Sequence, residues 1–114
     1  MNVPTETRLP PQAATPDLAL MRLAAGEAST VMRTLGNPDR LLLLCQLSQG
    51  EKSVSELEEL VGIQQPTLSQ QLGVLRSEGL VQTRREGKRI YYAVADAKVL
   101  AILELMYTLY CPQP

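Results

Sequence analysis

Apolar residues recur at three- and four-residue steps through Leu18, Met21, Ala25, Ala28, Met32 and Leu35, the spacing of one helical face over residues 17–35. Thr15-Pro16-Asp17 opens this helix and Gly36-Asn37-Pro38 stops it, with Asn37 placed to cap the next helix and Pro38 at its first position. That second helix, roughly 38–49, carries Leu41, Leu42, Leu43, Leu44, Cys45 and Leu47 around most of its circumference, the pattern of a central buried helix, and Gly50 closes it. Ser53, with Glu56 three residues on, is a capping box for a short third helix facing Val54, Leu57, Leu60 and Val61 inward. After a tight turn at Gly62-Ile63, a fourth helix runs from Gln65 or Pro66 to Glu78 and ends at Gly79. The period then changes from helical to alternating. Leu80–Arg85 and Arg89–Val94 read as two strands of a hairpin joined by Glu86-Gly87-Lys88. Asp96 caps a last helix to about Tyr110, apolar at Val99, Ile102, Leu103, Met106 and Leu109, and Cys111-Pro112 terminates it.

The order is therefore four helices, a hairpin and a helix: a mainly α fold with a β-hairpin, in one domain over residues 17–111. Residues 1–16 hold four prolines and no periodicity, the composition of a disordered tail, and residues 112–114 are a short C-terminal tail. No charged-then-apolar leader opens the chain and its apolar runs are far too short for a membrane span, so a cytoplasmic protein without a membrane partner is expected. The core must be aliphatic, because 45% of the 114 residues are apolar yet none is Phe or Trp. Aliphatic helical domains of this size often gain stability by sharing a core across a homodimer.

A net charge of −1 excludes a polycation that coats nucleic acid, but it hides a local excess. Between Gln64 and Val94 stand Arg76, Arg84, Arg85, Lys88 and Arg89 against only Glu78 and Glu86. The third and fourth helices, joined by a Gly-containing turn, form a helix-turn-helix. On the fourth, Leu68, Leu72 and Leu75 make a narrow inward stripe, and the outer and N-terminal surface holds Gln65, Thr67, Ser69, Gln70 and Gly73. Such short or amide side chains suit a major groove, where Gln pairs bidentately with adenine and Ser or Thr bonds a base or phosphate. Gly73 would let the helix sit close to the DNA backbone. Arg84, Arg85, Lys88 and Arg89 give the hairpin a basic tip that would touch phosphates or the neighbouring minor groove. A polar helix face alone is usually a solvated one, and a basic turn alone an ordinary charged turn; their adjacency around one core is the specific signal. It predicts a winged helix-turn-helix on double-stranded operator DNA.

Three stretches carry a family resemblance: Asn37-Pro38-Asp39-Arg40-Leu41, then Ser55-Glu56-Leu57, then Gln65-Pro66-Thr67-Leu68-Ser69-Gln70-Gln71-Leu72-Gly73-Val74-Leu75-Arg76-Ser77-Glu78-Gly79-Leu80-Val81. With the wing Arg84-Arg85-Glu86-Gly87-Lys88-Arg89-Ile90-Tyr91-Tyr92, they resemble the arsenic-repressor (ArsR/SmtB) family over about residues 18–111. The resemblance implies a dimeric repressor whose first and last helices form the subunit interface. It implies DNA contacts from Gln65, Thr67, Ser69, Gln70, Gln71, Arg76, Arg84, Arg85, Lys88 and Arg89. Many members carry His where this chain has Gln71, a difference that bears on operator preference rather than on binding.

Members of the family sense different effectors. Many metal sensors place Cys-x-Cys at the start of the third helix, where Ser53 and Ser55 stand here, and neither is a soft ligand. Others use His on the last helix, and this chain has no His. Two cysteines fall short of the three or four ligands of a zinc site, so a metal or metalloid sensor would need thiolates shared across the dimer. No metal or other cofactor is expected. Cys45 in the second helix and Cys111 at the end of the last resemble the sulfide- and persulfide-responsive branch (BigR/SqrR-type repressors), as do their neighbourhoods Leu43-Leu44-Cys45-Gln46-Leu47 and Met106–Cys111. That resemblance implies a redox-sensing pair acted on by reactive sulfur species, closing to a disulfide or a sulfur-bridged link. A general thiol-redox (peroxide) sensor is the other alternative. By itself Cys45 reads as a core residue whose apolar setting raises its thiol pKa, and Cys111, at a fraying helix end, as exposed. An enzyme finds no support, since there is no Cys-x-x-Cys, no His and no glycine-rich phosphate loop. A protein-binding winged helix would leave the basic tip unexplained.

Overall fold

The computed structural model describes residues 17–112; the tail expected at 1–16, and all but Pro112 of the one expected at 112–114, lie outside the described residues. Eight elements follow in order: α1 (Leu18–Leu35), α2 (Pro38–Leu47), β1 (Lys52–Ser53), α3 (Val54–Val61), α4 (Thr67–Ser77), β2 (Val81–Glu86), β3 (Arg89–Val94) and α5 (Ala97–Tyr110). By its internal contacts the chain divides into two units, one up to Thr30 and one from Val31.

In the first unit, Asp17 opens α1 by accepting from Ala19 N at 2.9 Å through Oδ1, an N-terminal anchor for otherwise unpaired amides. The apolar residues here are turned to solvent: Leu18, Leu20, Met21 and Leu23 are exposed, Leu23 by 71%. Of the expected stripe, Leu18, Met21 and Met32 are exposed, and Leu35 at its end is buried.

In the second unit the core is aliphatic, as composition requires. Leu35 of α1, Leu43, Leu44 and Leu47 of α2, Leu57 of α3, Leu68, Leu72 and Leu75 of α4, and Val99 and Leu103 of α5 form one cluster with Ile63, Leu80 and Val81. Asn37 caps α2 by accepting from Arg40 N at 3.0 Å, with Pro38 in the first turn. Helix α2 is central but not buried all round: Leu42 is 49% exposed, because four consecutive leucines span most of a helical circumference and one must face away from a one-sided core.

The Ser53 capping box forms as read, with Glu56 N donating to Ser53 Oγ at 3.2 Å and Ser53 N to Glu56 Oε1 at 2.8 Å. Ser53 also lies in β1, a strand the sequence reading does not contain. Lys52 pairs with Tyr92 and Ser53 with Tyr91, giving an antiparallel sheet in the order β1-β3-β2. Two residues are too few to show an alternation. Gly62 ends α3 in the left-handed region at φ 69°, with its N–H donating to Glu58 O, a backbone state that favours glycine. The hairpin turn is two residues rather than three: Glu86 pairs with Arg89, and Gly87 at φ 62° with Lys88 forms the tip. Among the described residues no helix is long and apolar enough to cross a membrane.

Candidate nucleic-acid interface

Helix α4 is held from behind by Leu68, Leu72 and Leu75, each essentially inaccessible. Its opposite face is polar and almost uncharged. Helical backbone starts at Thr67, one or two residues later than Gln65 or Pro66, because the Gln65 side chain substitutes for a further turn: its Oε1 accepts from Ser69 N at 3.1 Å and from Ser69 Oγ at 2.6 Å. Gln65, Ser69 and Gln70 are exposed, Thr67 is half-buried, and Arg76 is exposed in the last turn. Gly73 faces open space, where an added Cβ would meet nothing within 4 Å. Gln71 stands apart from its neighbours: it is half-buried, and Arg40 of α2 donates to its Oε1 at 3.1 Å.

The wing presents Arg84, Arg85, Lys88 and Arg89 as exposed residues. They are not equivalent. Arg84 forms ion pairs at 2.7 Å with Glu51, in the segment before β1, and with Glu86 on its own strand. Its guanidinium also lies 4.6 Å over the ring of Tyr91, its cross-strand partner. Hydrogen bonds from Arg84 hold the Glu51 carboxyl below its ordinary range, and those two carboxylates hold the guanidinium firmly protonated. Strand alternation points Arg85 to the opposite face. The basic tip therefore consists of Arg85, Lys88 and Arg89, with Arg84 acting as a clamp between the wing and the segment before β1. Glu51 and Tyr91 escaped sequence reading as partners of Arg84, since the Glu51 pairing spans 33 residues and depends on sheet register.

Residues 37–83 match the arsR family of bacterial regulatory proteins. Over 93 residues the chain is 50% identical to the biofilm growth-associated repressor of Xylella fastidiosa, covering 82% of each chain. This protein belongs to the ArsR family. The fold agrees. The crystal structure of the transcriptional repressor BigR from Xylella fastidiosa superposes with a TM-score of 0.78 at 47% identity, covering 86% of this chain and all of that one. The homodimeric winged helix-turn-helix DNA-binding domain of Mb0332 from Mycobacterium bovis superposes with a TM-score of 0.68 at 34% identity, covering 86% and 89%. The winged helix-turn-helix read from the sequence is thus the fold of this ArsR-family chain, which is of the BigR type, and fold and family are those of transcriptional regulators rather than enzymes.

The two cysteines, one on α2 and one at the end of α5, lie within electrostatic reach of each other although 66 residues separate them in sequence. Burial raises the Cys45 thiol pKa, and the nearby Cys111 raises it further. Cys45 packs half-buried against the aliphatic cluster, as its leucine-rich helix suggests. Cys111 is half-buried rather than exposed, and as the C-cap of α5 its N–H donates to Tyr107 O. No disulfide joins the two.

Proposed function

We propose that this protein is a homodimeric repressor that binds operator DNA through α4 and the wing and releases it when Cys45 and Cys111 are linked by reactive sulfur. The DNA reading is carried by one observation: an uncharged polar helix face beside a basic hairpin tip, both anchored on the same core. Gln65, Thr67, Ser69, Gln70 and Gln71 would meet the major groove, and Arg76, Arg85, Lys88 and Arg89 phosphates, with Arg84 positioning the wing. Dimerisation is supported by exposed apolar residues on two helices taken separately, Leu18, Leu20, Met21 and Leu23 on α1 and Leu105, Tyr107, Leu109 and Tyr110 on α5. A two-fold dimer would place its reading helices about 34 Å apart on a near-palindromic site.

The proximity of Cys45 and Cys111 supports a dithiol sensor. With an organic trisulfide RS–S–SR, the first cysteine thiolate attacks the central sulfur, forming Cys–S–S–SR and expelling RS⁻. The second attacks that same former central sulfur, forming Cys–S–S–S–Cys and expelling the other RS⁻. Two protein thiols are oxidised, the trisulfide is reduced to two RSH, and both cysteine protons leave with them. A raised pKa disfavours the Cys45 thiolate at neutral pH, so the step at Cys45 accelerates as the pH rises towards and past the ordinary value of 9.0.

Glutathione trisulfide added to the reduced protein tests this reading by intact mass and operator release together. One sulfur atom gained per chain with loss of both thiol protons, and release abolished in Cys45→Ser and Cys111→Ser, is the expected result. A direct disulfide formed with peroxide and not with trisulfide would assign the peroxide alternative, and release with both thiols unmodified would refute a thiol sensor. Among the described residues no group of three or more His, Cys, Asp or Glu is placed to hold a metal ion.

A further inference from the structure

Arg40 lies in the first turn of α2 and its guanidinium reaches in two directions. Nε donates to Thr34 O at 2.7 Å, and one terminal nitrogen approaches Arg33 O at 3.5 Å, both carbonyls of the last turn of α1. The other terminal nitrogen donates to Gln71 Oε1 on α4 at 3.1 Å. Carbonyls at a helix C-terminus lack intrahelical donors and carry the negative end of the helix dipole, so a guanidinium is well matched to them. Thr34 is buried, and Arg40 and Gln71 are half-buried, whereas Ser69 and Gln70 beside Gln71 are exposed.

Arginine offers five N–H donors and no acceptor. The Gln71 atom facing it must therefore be the amide oxygen, and the orientation of that amide follows from chemistry. Nε2, which only donates, is turned away from the guanidinium. One lone pair of Oε1 is taken by Arg40, and that bond fixes how the Gln71 amide is turned, whereas Gln70 beside it is exposed.

We propose that Arg40 is a positioning residue for operator recognition: it braces α4 near its middle against the last turn of α1 and fixes the orientation in which the Gln71 amide, with its Nε2 donors, meets DNA. This rests on the reading of α4 as the DNA-reading helix. Arg40 acts through Gln71, so the two residues form one device.

The test is a double-mutant cycle on a duplex that the wild-type protein selects from a random-sequence pool. Arg40→Met and Gln71→Met are each expected to weaken binding about tenfold, and the double variant no more than the weaker single one. Gln71→Met leaves the bonds from Arg40 to α1 intact, so its melting temperature should stay near wild type while its affinity falls. Gln71→Glu keeps an acceptor for Arg40 without any donor for DNA, and should bind as poorly as Gln71→Met or worse at full thermal stability. Additive losses, with the salt slope reduced by about two in Arg40→Met (one contact per protomer), would mean that Arg40 touches phosphate itself and would overturn the proposal. Wild-type affinity in Gln71→Met would overturn it as well. Failure of the wild type to select any duplex is a separate result, and would remove the DNA reading along with this one.

Discussion

Helix α4 and the β2–β3 wing carry the two halves of the candidate interface, and they hold their polar groups in different ways. The side chains of α4 are positioned by what lies behind them: a stripe of inaccessible leucines fixes the helix, and local bonds such as Gln65 to Ser69 fix the polar face. The wing is anchored at its base only, where Val81 is buried and Tyr92 and Val94 pack against the core. Beyond Val81 its first strand is largely exposed, and its geometry is set by ladder pairing, a tight glycine turn and the Arg84 clamp. Packing therefore supports the half suited to discriminating bases along its whole length, whereas the tip of the half suited to holding phosphate relies on strand pairing, its turn and the exposed Arg84 pairs. The two should fail differently.

The largest effect is expected where packing supports recognition. Leu72→Ala removes a side chain that is 1% exposed at the centre of the α4 stripe, and should cost about 2–5 kcal/mol in urea unfolding. Against a total of roughly 5–15 kcal/mol for a domain, that is enough to compromise folding itself. A loss well under 1 kcal/mol would mean that α4 is not anchored by this core.

Next comes the wing tip. Arg85→Ala with Lys88→Ala touches no buried group, so stability should move by less than about 0.5 kcal/mol. Operator affinity should fall about tenfold or more, and the slope of log affinity against log salt should shrink by about four, two contacts being lost from each protomer of the dimer. An unchanged slope would show that these residues meet no phosphate.

Most of this division was legible in the sequence, because hydrophobic period and turn chemistry are local. The Leu68, Leu72 and Leu75 stripe, the Ser53–Glu56 box and the glycine ends of helices could all be read within one turn of chain. What escaped reading depends on pairing across the fold. Strand β1 exists only because β3 offers an edge to Lys52 and Ser53. Arg84 counted as one of four equal basic residues until register set it opposite Tyr91 and within reach of Glu51. Gln71 likewise read as one more amide on a polar face, and only the tertiary approach of Arg40 distinguishes it from Gln70. Residue type gives each side chain's donors, acceptors and charge, but not which partner within the fold has already claimed them.

Arg84→Met separates the clamp from the tip. The two carboxylates already compensate its charge, so affinity should drop only a few-fold and the salt slope should change by less than about one. Amide exchange at Gly87 and Lys88 should accelerate as the wing loosens. The clamp is also pH-dependent. The folded pKa of Glu51 is lowered, so its contribution is present above the ordinary carboxylate value of 4.5 and is lost as the pH falls through the lowered value. Wild-type and Arg84→Met exchange rates, corrected for intrinsic chemistry, should therefore converge in acid. A slope change as large as that of a tip residue would return Arg84 to the phosphate contacts.

The smallest effect is also the sharpest, because stability and function should move in opposite directions. Gly73 has ordinary helical backbone, and a Cβ built on it meets nothing in the protein within 4 Å. Alanine there should stabilise the fold by about 0.5–1 kcal/mol, through reduced freedom of the unfolded chain and better helix propensity. The missing side chain therefore serves no packing need of this chain. If α4 lies close against DNA, the new methyl occupies space the duplex requires, and Gly73→Ala should melt higher yet bind operator more weakly. A variant that gains in both would show that the helix stands off from the duplex at this point, and would shift the reading surface towards the N-terminal turn, where Gln65, Ser69 and Gln70 are exposed.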